Sequence, residues 1–556
     1  MEIERVDEFN AYLIPWTLDR TKAEVRAACQ EFGVMGAPIN TVADMLADEN
    51  ILAREFFQQI EHPTTGTLTY PGYHFKLHRD EGPMPPRRRA PLLGEHTAEV
   101  VAATEARAPI QPPPPAARMR AKRTLPLAGL RIIDFTLVLA GPYGAMQLAD
   151  WGAEVIRVES LQHFPTSTRG VMARPPREIV AGQANSAAGF AYPDHDPGAR
   201  PWNRVSAFNH HSRNKLSMTV DLRRPEGQEV LERLIAISDG LLENNLPENI
   251  EKQGVTWERL SRINPRMVMV RIPGYGLTGR YRGLRSMGMH MEAFAGHPAI
   301  RTYSDLSYEY IPLGVPSDAA GGMGAALAFM MGLRYRDLTG RGVQVESATA
   351  ENFVPFLGEF VMDYTMNGRL WPQMGNDHFW MAPHNVYPCR GEDRWVTIAC
   401  RDDLEWRRVC EMLHRPELAD DPRFALQQDR YANRREIDRI IAEWTRPRDA
   451  FWVMHRAQQL GIPAGVVMTE ADIFENPQLL EREFFQEVTH PEAGTHKHVR
   501  GAWQASNTPL PTARHAPRLG EDNEYVYRDL LGFSPGEYQH FEELGHIGMD
   551  FDASVA

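Results

Sequence analysis

The chain has 556 residues, too many for one compact core and enough for about three to four domains of about 150 residues each. Hydrophobic residues make up 43% and charged residues 24%, a soluble globular profile, and a net charge of −13 disfavours nucleic acid as a partner. The longest weakly polar run, Ala319 to Leu333, is too short to cross a bilayer, and MEIERVDEFN lacks the regions of a secretory signal, so no membrane partner and a cytoplasmic location are expected.

Read from the N-terminus, the first feature is a repeat. Residues 33–58, GVMGAPINTVADMLADENILAREFFQ, align without a gap on residues 461–486, GIPAGVVMTEADIFENPQLLEREFFQ. His62-Pro63 is matched by His490-Pro491, and Ala90-Pro91-Leu92-Leu93-Gly94-Glu95 by Ala516-Pro517-Arg518-Leu519-Gly520-Glu521. Two copies of this length do not make a solenoid, so residues 1–106 read as a partial duplicate of the C-terminal region. Residues 107–124 follow as a Pro/Ala-rich linker, in which Ala108 to Ala117 predicts a semi-rigid spacer of about 30 Å at about 3.1 Å per residue.

Residues 125–368 predict a large α/β domain. Leu127 to Phe135 is a strand with apolar residues on both faces, followed by a loop holding Gly141 and Gly144, a short helix and a second strand, Ala153 to Val158. Glu159 stands where a ribose-binding acid would, but Gly141-Pro142-Tyr143-Gly144 is not GxGxxG, which argues against nicotinamide or flavin binding. A helix is expected over Pro225 to Asp239, a strand over Met267 to Ile272, and a strand and helix after the turn at Thr339-Gly340. A smaller α+β domain, 369–510, includes Asn385 to Pro388, the strand Arg394 to Ala399 and helices up to about residue 460. Residues 511–556 return to the large domain. The fold class is α/β, a large Rossmann-like parallel-sheet domain plus a smaller α+β domain.

The common catalytic signatures are missing. Cys29, Cys389, Cys400 and Cys410 form no CxxC and are expected as reduced thiols, and the histidines form no HExxH, so no metal is expected. GxSxG and a P-loop are also absent. One carboxylate stands out. Gly314-Val315-Pro316-Ser317-Asp318 leads into a run of alanine and glycine, which makes Asp318 a helix N-cap on the residues alone. There the helix dipole would keep the carboxylate ionised, and the glycines would let a bulky ligand approach the backbone. A carboxylate so placed can attack an activated acyl group.

Five segments then carry a resemblance. LPLAGLRIIDFTLVLAGPYGAMQLADWGAEVIRVES, RNKLSMTVDLRRPEG, LLENNLPENIEKQG, INPRMVMVRIPGYGLTGRY and VPSDAAGGMGAALAFMMGLRYRDLTGRGVQVE, in that order, resemble the class III CoA-transferase family, which contains formyl-CoA and carnitine CoA-transferases. The likeness covers residues 125–555, and GAPINTVADMLADENILAREFF and APLLGEH resemble the family's C-terminal end. It implies that Asp318 is the nucleophile, forming a mixed anhydride and then an aspartyl-CoA thioester that a carboxylic acid acceptor resolves. It implies coenzyme A esters as substrates, with no permanently bound cofactor. It puts Val138 and Leu139 on the loop facing the thioester, Asn244 and Asn245 near the pantetheine arm, and Lys252 and Arg285 near the CoA phosphates. Members are interlocked homodimers, so a homodimer is expected.

Departures from the family's pattern narrow the reading. Leu139 stands where oxalate-type members carry glutamine, Asn245 where phenylalanine is common, and Met374 to His384 near the place of a glycine-rich lid. Met287 stands where acyl-CoA racemases of the same fold carry a second base, which argues against racemisation. The alternatives are a CoA-dependent lyase, dehydratase or isomerase, and a non-catalytic partner subunit. The N-terminal copy either packs on its own chain where a partner would, or is the remnant of a fused tandem protein.

Overall fold

The computed structural model describes residues 6–105, 125–177, 180, 191–306, 311, 314–501, 503–506, 508 and 514–555. The expected linker, 107–124, lies outside the described residues. The chain divides into two units, one of Met1–His297, Leu313–Leu370 and Phe485–Ala556, the other of Pro298–Pro312 and Trp371–Phe484.

The first unit is built on a seven-stranded sheet. Its strands are β1 (Lys76–His78), β2 (Arg131–Phe135), β3 (Glu154–Glu159), β4 (Lys215–Thr219), β5 (Gly240–Glu243), β6 (Val268–Arg271) and β7 (Val343–Glu346). They lie in the order β1-β7-β6-β5-β2-β3-β4, all neighbours parallel except β1, which runs antiparallel to β7. Strand order reverses between β2 and β5. A crevice opens beyond the C-terminal ends of such a pair, which is where open α/β sheets take their ligands.

Four helices position the site: α1 (Ala140–Asp150), α2 (Gly288–Ala295), α3 (Pro316–Thr339) and α4 (Thr349–Phe353). Both faces of the sheet are covered, which is why several strands read as apolar runs. Val268, Val270 and Val345 pack one face with Ala145 and Leu148 of α1 and Ala325 and Phe329 of α3. On the other face Ile133, Leu241 and Met269 cluster with Val230 and Leu234 of the helix Pro225–Ala236 and with Tyr527 and Phe541.

Gly141 and Gly144 lie inside α1 rather than in the expected loop, and α3 supplies the reason. A Cβ on Gly144 would sit 2.6 Å from the Gly322 carbonyl oxygen, and one on Gly322 would sit 2.6 Å from the Ala140 carbonyl oxygen. The helices therefore touch backbone to backbone. Ala140 meets Gly321 and Gly322 while Gly144 meets Gly322 and Ala325, so α1 and α3 run parallel and begin at the same end.

Strands β1, β4 and β5 are absent from the sequence reading. In β4 the buried Lys215 and Ser217 hide the apolar pattern; Lys215 Nζ lies 2.8 Å from Asp134 Oδ2, and Ser217 Oγ donates to Glu159. Strand β1 belongs to the N-terminal segment and closes one sheet edge, while Asp522 and Asn523 accept the backbone N–H groups of Ser217 and Thr219 at the other. The N-terminal segment also buries Arg54, whose guanidinium lies 2.7 Å from Glu346 and 2.9 Å from Glu351.

The two segments of the repeat carry the same succession of elements. Helices Val42–Leu46 and Glu49–Ala53 lead to the hairpin Gln58–His62 and Gly66–Tyr70; helices Glu470–Glu475 and Pro477–Glu481 lead to Phe485–His490 and Gly494–Val499. Thr41 and Thr469 each form a capping box, with Asp44 and Asp472. Glu55 and Glu483 both adopt positive φ, 51° and 50°.

The second unit holds an antiparallel sheet of His384–Pro388, Trp395–Ala399 and Ala464–Val467, with Trp406, Val409, Ile437 and Val453 in its core. Cys389, Cys400 and Cys410 are buried free thiols, and Cys29, in the first unit, is a partly buried one.

Candidate active site

Pro316 opens α3, because its fixed φ and missing N–H suit the first helical position. Val315 is therefore the N-cap, and Asp318 is the third residue of the helix instead of the expected cap. The Asp318 N–H already bonds the Val315 carbonyl at 3.0 Å, which leaves its carboxylate for other partners.

That carboxylate turns towards α2. A Cβ on Gly288 would lie 2.1 Å from Asp318 Oδ2, so only glycine leaves the carboxylate its room. Ser317 Oγ donates to the Gly288 carbonyl at 2.8 Å and ties the two helix starts together. Glu292, one turn further along α2 and 1% exposed, accepts from the Ser317 N–H at 3.4 Å and bonds His297 Nδ1 at 2.9 Å. Burial first, and then the neighbouring Glu292 carboxylate, push the Asp318 pKa up to about 6, against a downward pull from the Gly288 backbone. Desolvation thus opposes the dipole's expected effect. At pH 7 the group is still mostly ionised, and it is a stronger base than a surface aspartate.

The glycines that follow let neighbouring helices approach α3 closely. Cβ atoms on Gly321, Gly322 and Gly324 would meet Thr349 of α4, Ala140 of α1 and Asn352 of α4 respectively. All three are taken up by helix packing, and that packing sets the start of α3 beside the start of α1.

The switch point between β2 and β5 gathers four of the sequence-predicted residues. Val138 has φ of 63°, a left-handed conformation that a β-branched residue adopts only under restraint. The restraint is visible: the Val138 N–H donates to Thr168 Oγ1 at 2.8 Å, and the Asn244 side chain accepts from the Leu137 N–H at 2.6 Å and donates to its carbonyl at 2.9 Å. Asn245 donates to the Phe135 carbonyl at 2.9 Å. The side-chain amides of Asn244 and Asn245 thus brace the loop. Val138 is 37% exposed, and Leu139 is the N-cap of α1 without a side-chain capping bond.

Lys252 ends the helix Pro247–Lys252 and is exposed, as is Arg285 just before α2. Glu159 is buried, 2.6 Å from Arg169 and 3.1 Å from Arg157, so it is not presented to a ribose. His290 accepts from the Met287 N–H at 3.0 Å, which makes it a cap on the start of α2. Gly288, Glu292 and Ser317 escape the sequence reading. The one signal for them is a carboxylate stranded in the apolar run Met289-His290-Met291-Glu292-Ala293-Phe294.

The sequence profile of CoA-transferase family III matches residues 2–97 and 127–523. A succinyl-CoA–D-citramalate CoA-transferase of Chloroflexus aurantiacus is 32% identical over 409 residues, covering 74% of this chain and 95% of that protein. A probable CoA-transferase of Mycobacterium tuberculosis is 30% identical over 534 residues, 93% of this chain, and this chain spans only 61% of its length. Among solved structures, a CaiB/BaiF family protein of Brucella suis superposes with a TM-score of 0.62 at 26% identity, over 73% of this chain and 100% of that one.

Proposed function

Because the chain belongs to CoA-transferase family III, we propose that it moves coenzyme A from an acyl-CoA donor to a carboxylic acid through a thioester on Asp318. The observation that carries this reading is the setting of Asp318: a partly buried carboxylate with its pKa raised to about 6, seated against Gly288 at the sheet edge where α1 also begins.

The exchange balances in four steps. Asp318 attacks the donor's thioester carbon, the C–S bond breaks, and a mixed anhydride and CoA thiolate form. The thiolate attacks the aspartyl carbon of the anhydride, releasing the donor's carboxylate and leaving aspartyl-CoA. An acceptor carboxylate attacks that thioester, giving a second anhydride and the thiolate again. The thiolate then attacks the acceptor's acyl carbon, which yields the new acyl-CoA and restores Asp318. No proton changes hands and no water is consumed, so the site needs a nucleophile, stabilisation of developing negative charge and exclusion of water more than a general base. The uncapped first turn of α1 is suited to the second task.

On this reading Val138 and Leu139 border the thioester, Asn244 and Asn245 hold that border in shape, and Lys252 and Arg285 meet the CoA phosphates. The enzyme is read as cytoplasmic and homodimeric, with residues 1–106 a partial duplicate of its C-terminal region. The relative that uses succinyl-CoA with D-citramalate makes that donor the first to try. Racemisation is disfavoured, because Met287 stands in the place of the second base and His290 is engaged by the Met287 N–H. Incubation with succinyl-CoA and a panel of carboxylic acids, followed by chromatography of the acyl-CoA products, tests the reading. Exchange that disappears in Asp318→Ala supports it; full exchange in that variant sinks it.

A further inference from the structure

We infer that the N-terminal segment positions the nucleophile: Asn40, helped by Gln30, fixes α2 so that Gly288 and Glu292 stay against Asp318. The inference rests on Asp318 as nucleophile and adds a role for residues that do not touch the reacting atoms.

Helix α2 has eight residues, and the N–H of its cap, Gly296, reaches back to the Ala293 carbonyl at 3.3 Å. Asn40 adds two donors at this end. Its backbone N–H donates to the Ala293 carbonyl at 2.9 Å and its side-chain Nδ2 to the Phe294 carbonyl at 3.0 Å, with Asn40 itself 5% exposed. Just before the helix, the Gln30 side chain accepts from the Arg285 N–H at 3.0 Å and donates to its carbonyl at 3.2 Å. Gln30 and Asn40 therefore hold α2 and its approach at two places. What α2 presents in return is the Gly288 backbone against the Asp318 carboxylate and, one turn on, the Glu292 carboxylate. A shift of about 1 Å in a catalytic group costs about a hundredfold in rate, so a clamp on this helix acts on the chemistry without meeting substrate.

The repeat sharpens the point. In the gapless alignment Asn40 falls opposite Met468, which has no N–H donor in its side chain, so this clamp belongs to the N-terminal copy alone. The chain completes its own active-site helix.

The test uses the full-length protein with Asn40→Asp, which keeps the side chain's shape and removes its donor, and Gln30→Ala as a second variant. Leu68→Ala, in the N-terminal hairpin, is the control for a general loss of stability. Single-turnover adduct formation on Asp318 from succinyl-CoA should slow about tenfold or more in both α2 variants, with the KM for succinyl-CoA changed by less than about threefold. Amide exchange over residues 288–295 should accelerate in the two variants and stay unchanged in Leu68→Ala. Adduct formation at the wild-type rate in both variants, or unaltered exchange over α2, overturns the inference. A wild-type chain that forms no adduct counts against Asp318 as nucleophile, and the exchange measurement then decides the clamp on its own.

Discussion

Asp318 is where burial, charge and geometry meet in one side chain. Its carboxyl holds a proton up to about pH 6 in the folded chain against 3.8 in an unperturbed aspartate. If the ionised form is the nucleophile, as proposed, kcat/KM for CoA exchange should climb with pH through about 6 and level off above it; a flat profile from pH 5 to 8 contradicts this. The sign for stability is opposite. A carboxyl whose folded pKa is raised costs stability above that pKa and costs nothing below the unfolded value. Asp318→Asn should therefore raise the Tm at pH 8, and the gain should vanish as the pH falls towards 4. Gly288→Ala tests the neighbour. Its new methyl would displace the end of the Asp318 side chain instead of backbone, so thermal melts should move little while adduct formation falls about a hundredfold or more. A large loss of Tm with normal turnover would show that Gly288 serves the fold and not the nucleophile.

At the scale of elements, the site depends on α1 and α3 beginning side by side. Gly322→Ala places a methyl 2.6 Å from the Ala140 carbonyl oxygen, and neither backbone can yield cheaply. Denaturant unfolding should report a loss of about 1–3 kcal/mol, with exchange activity falling alongside. These glycines also show what the sequence conceals. A run of small residues after a carboxylate reads equally as room for a ligand and as room for another helix, and only the three-dimensional neighbours decide. The capping expectation failed for a related reason: Pro316 starts the helix two residues ahead of Asp318, although Ser317-Asp318 looks like a cap. The βαβ opening and the strand at Val268–Arg271 were legible as apolar runs bounded by turns, and Val343–Glu346 as an apolar–polar alternation after Thr339-Gly340. Strand Lys215–Thr219 was not, because its polar residues pair inside the sheet. Among the proposed site residues, Asp318 and the Val138 loop are those that the resemblance to the family pointed to. Gly288 and Glu292 are not among them, since they act through contacts between helices distant in sequence.

Across the whole molecule, the N-terminal segment is an integral part of the first unit. It supplies an edge strand, the buried Arg54 between Glu346 and Glu351, and two holds on α2. Arg54→Ala leaves two buried carboxylates without their guanidinium, so unfolding free energy should drop by about 3–5 kcal/mol and limited proteolysis should cut first within residues 21–105. A loss under about 1 kcal/mol would mean that the segment is only loosely held. The length that argues for three or four domains resolves into two units, and the N-terminal segment belongs to the larger one. On the proposed reading Asp318 carries CoA. Incubating the full-length chain with succinyl-CoA, trapping with hydroxylamine and sequencing the peptides by mass spectrometry reads it directly. The predicted result is a hydroxamate on Asp318 and on no other carboxylate, abolished in Asp318→Asn; CoA exchange at full rate with Asp318 unmodified would contradict the account.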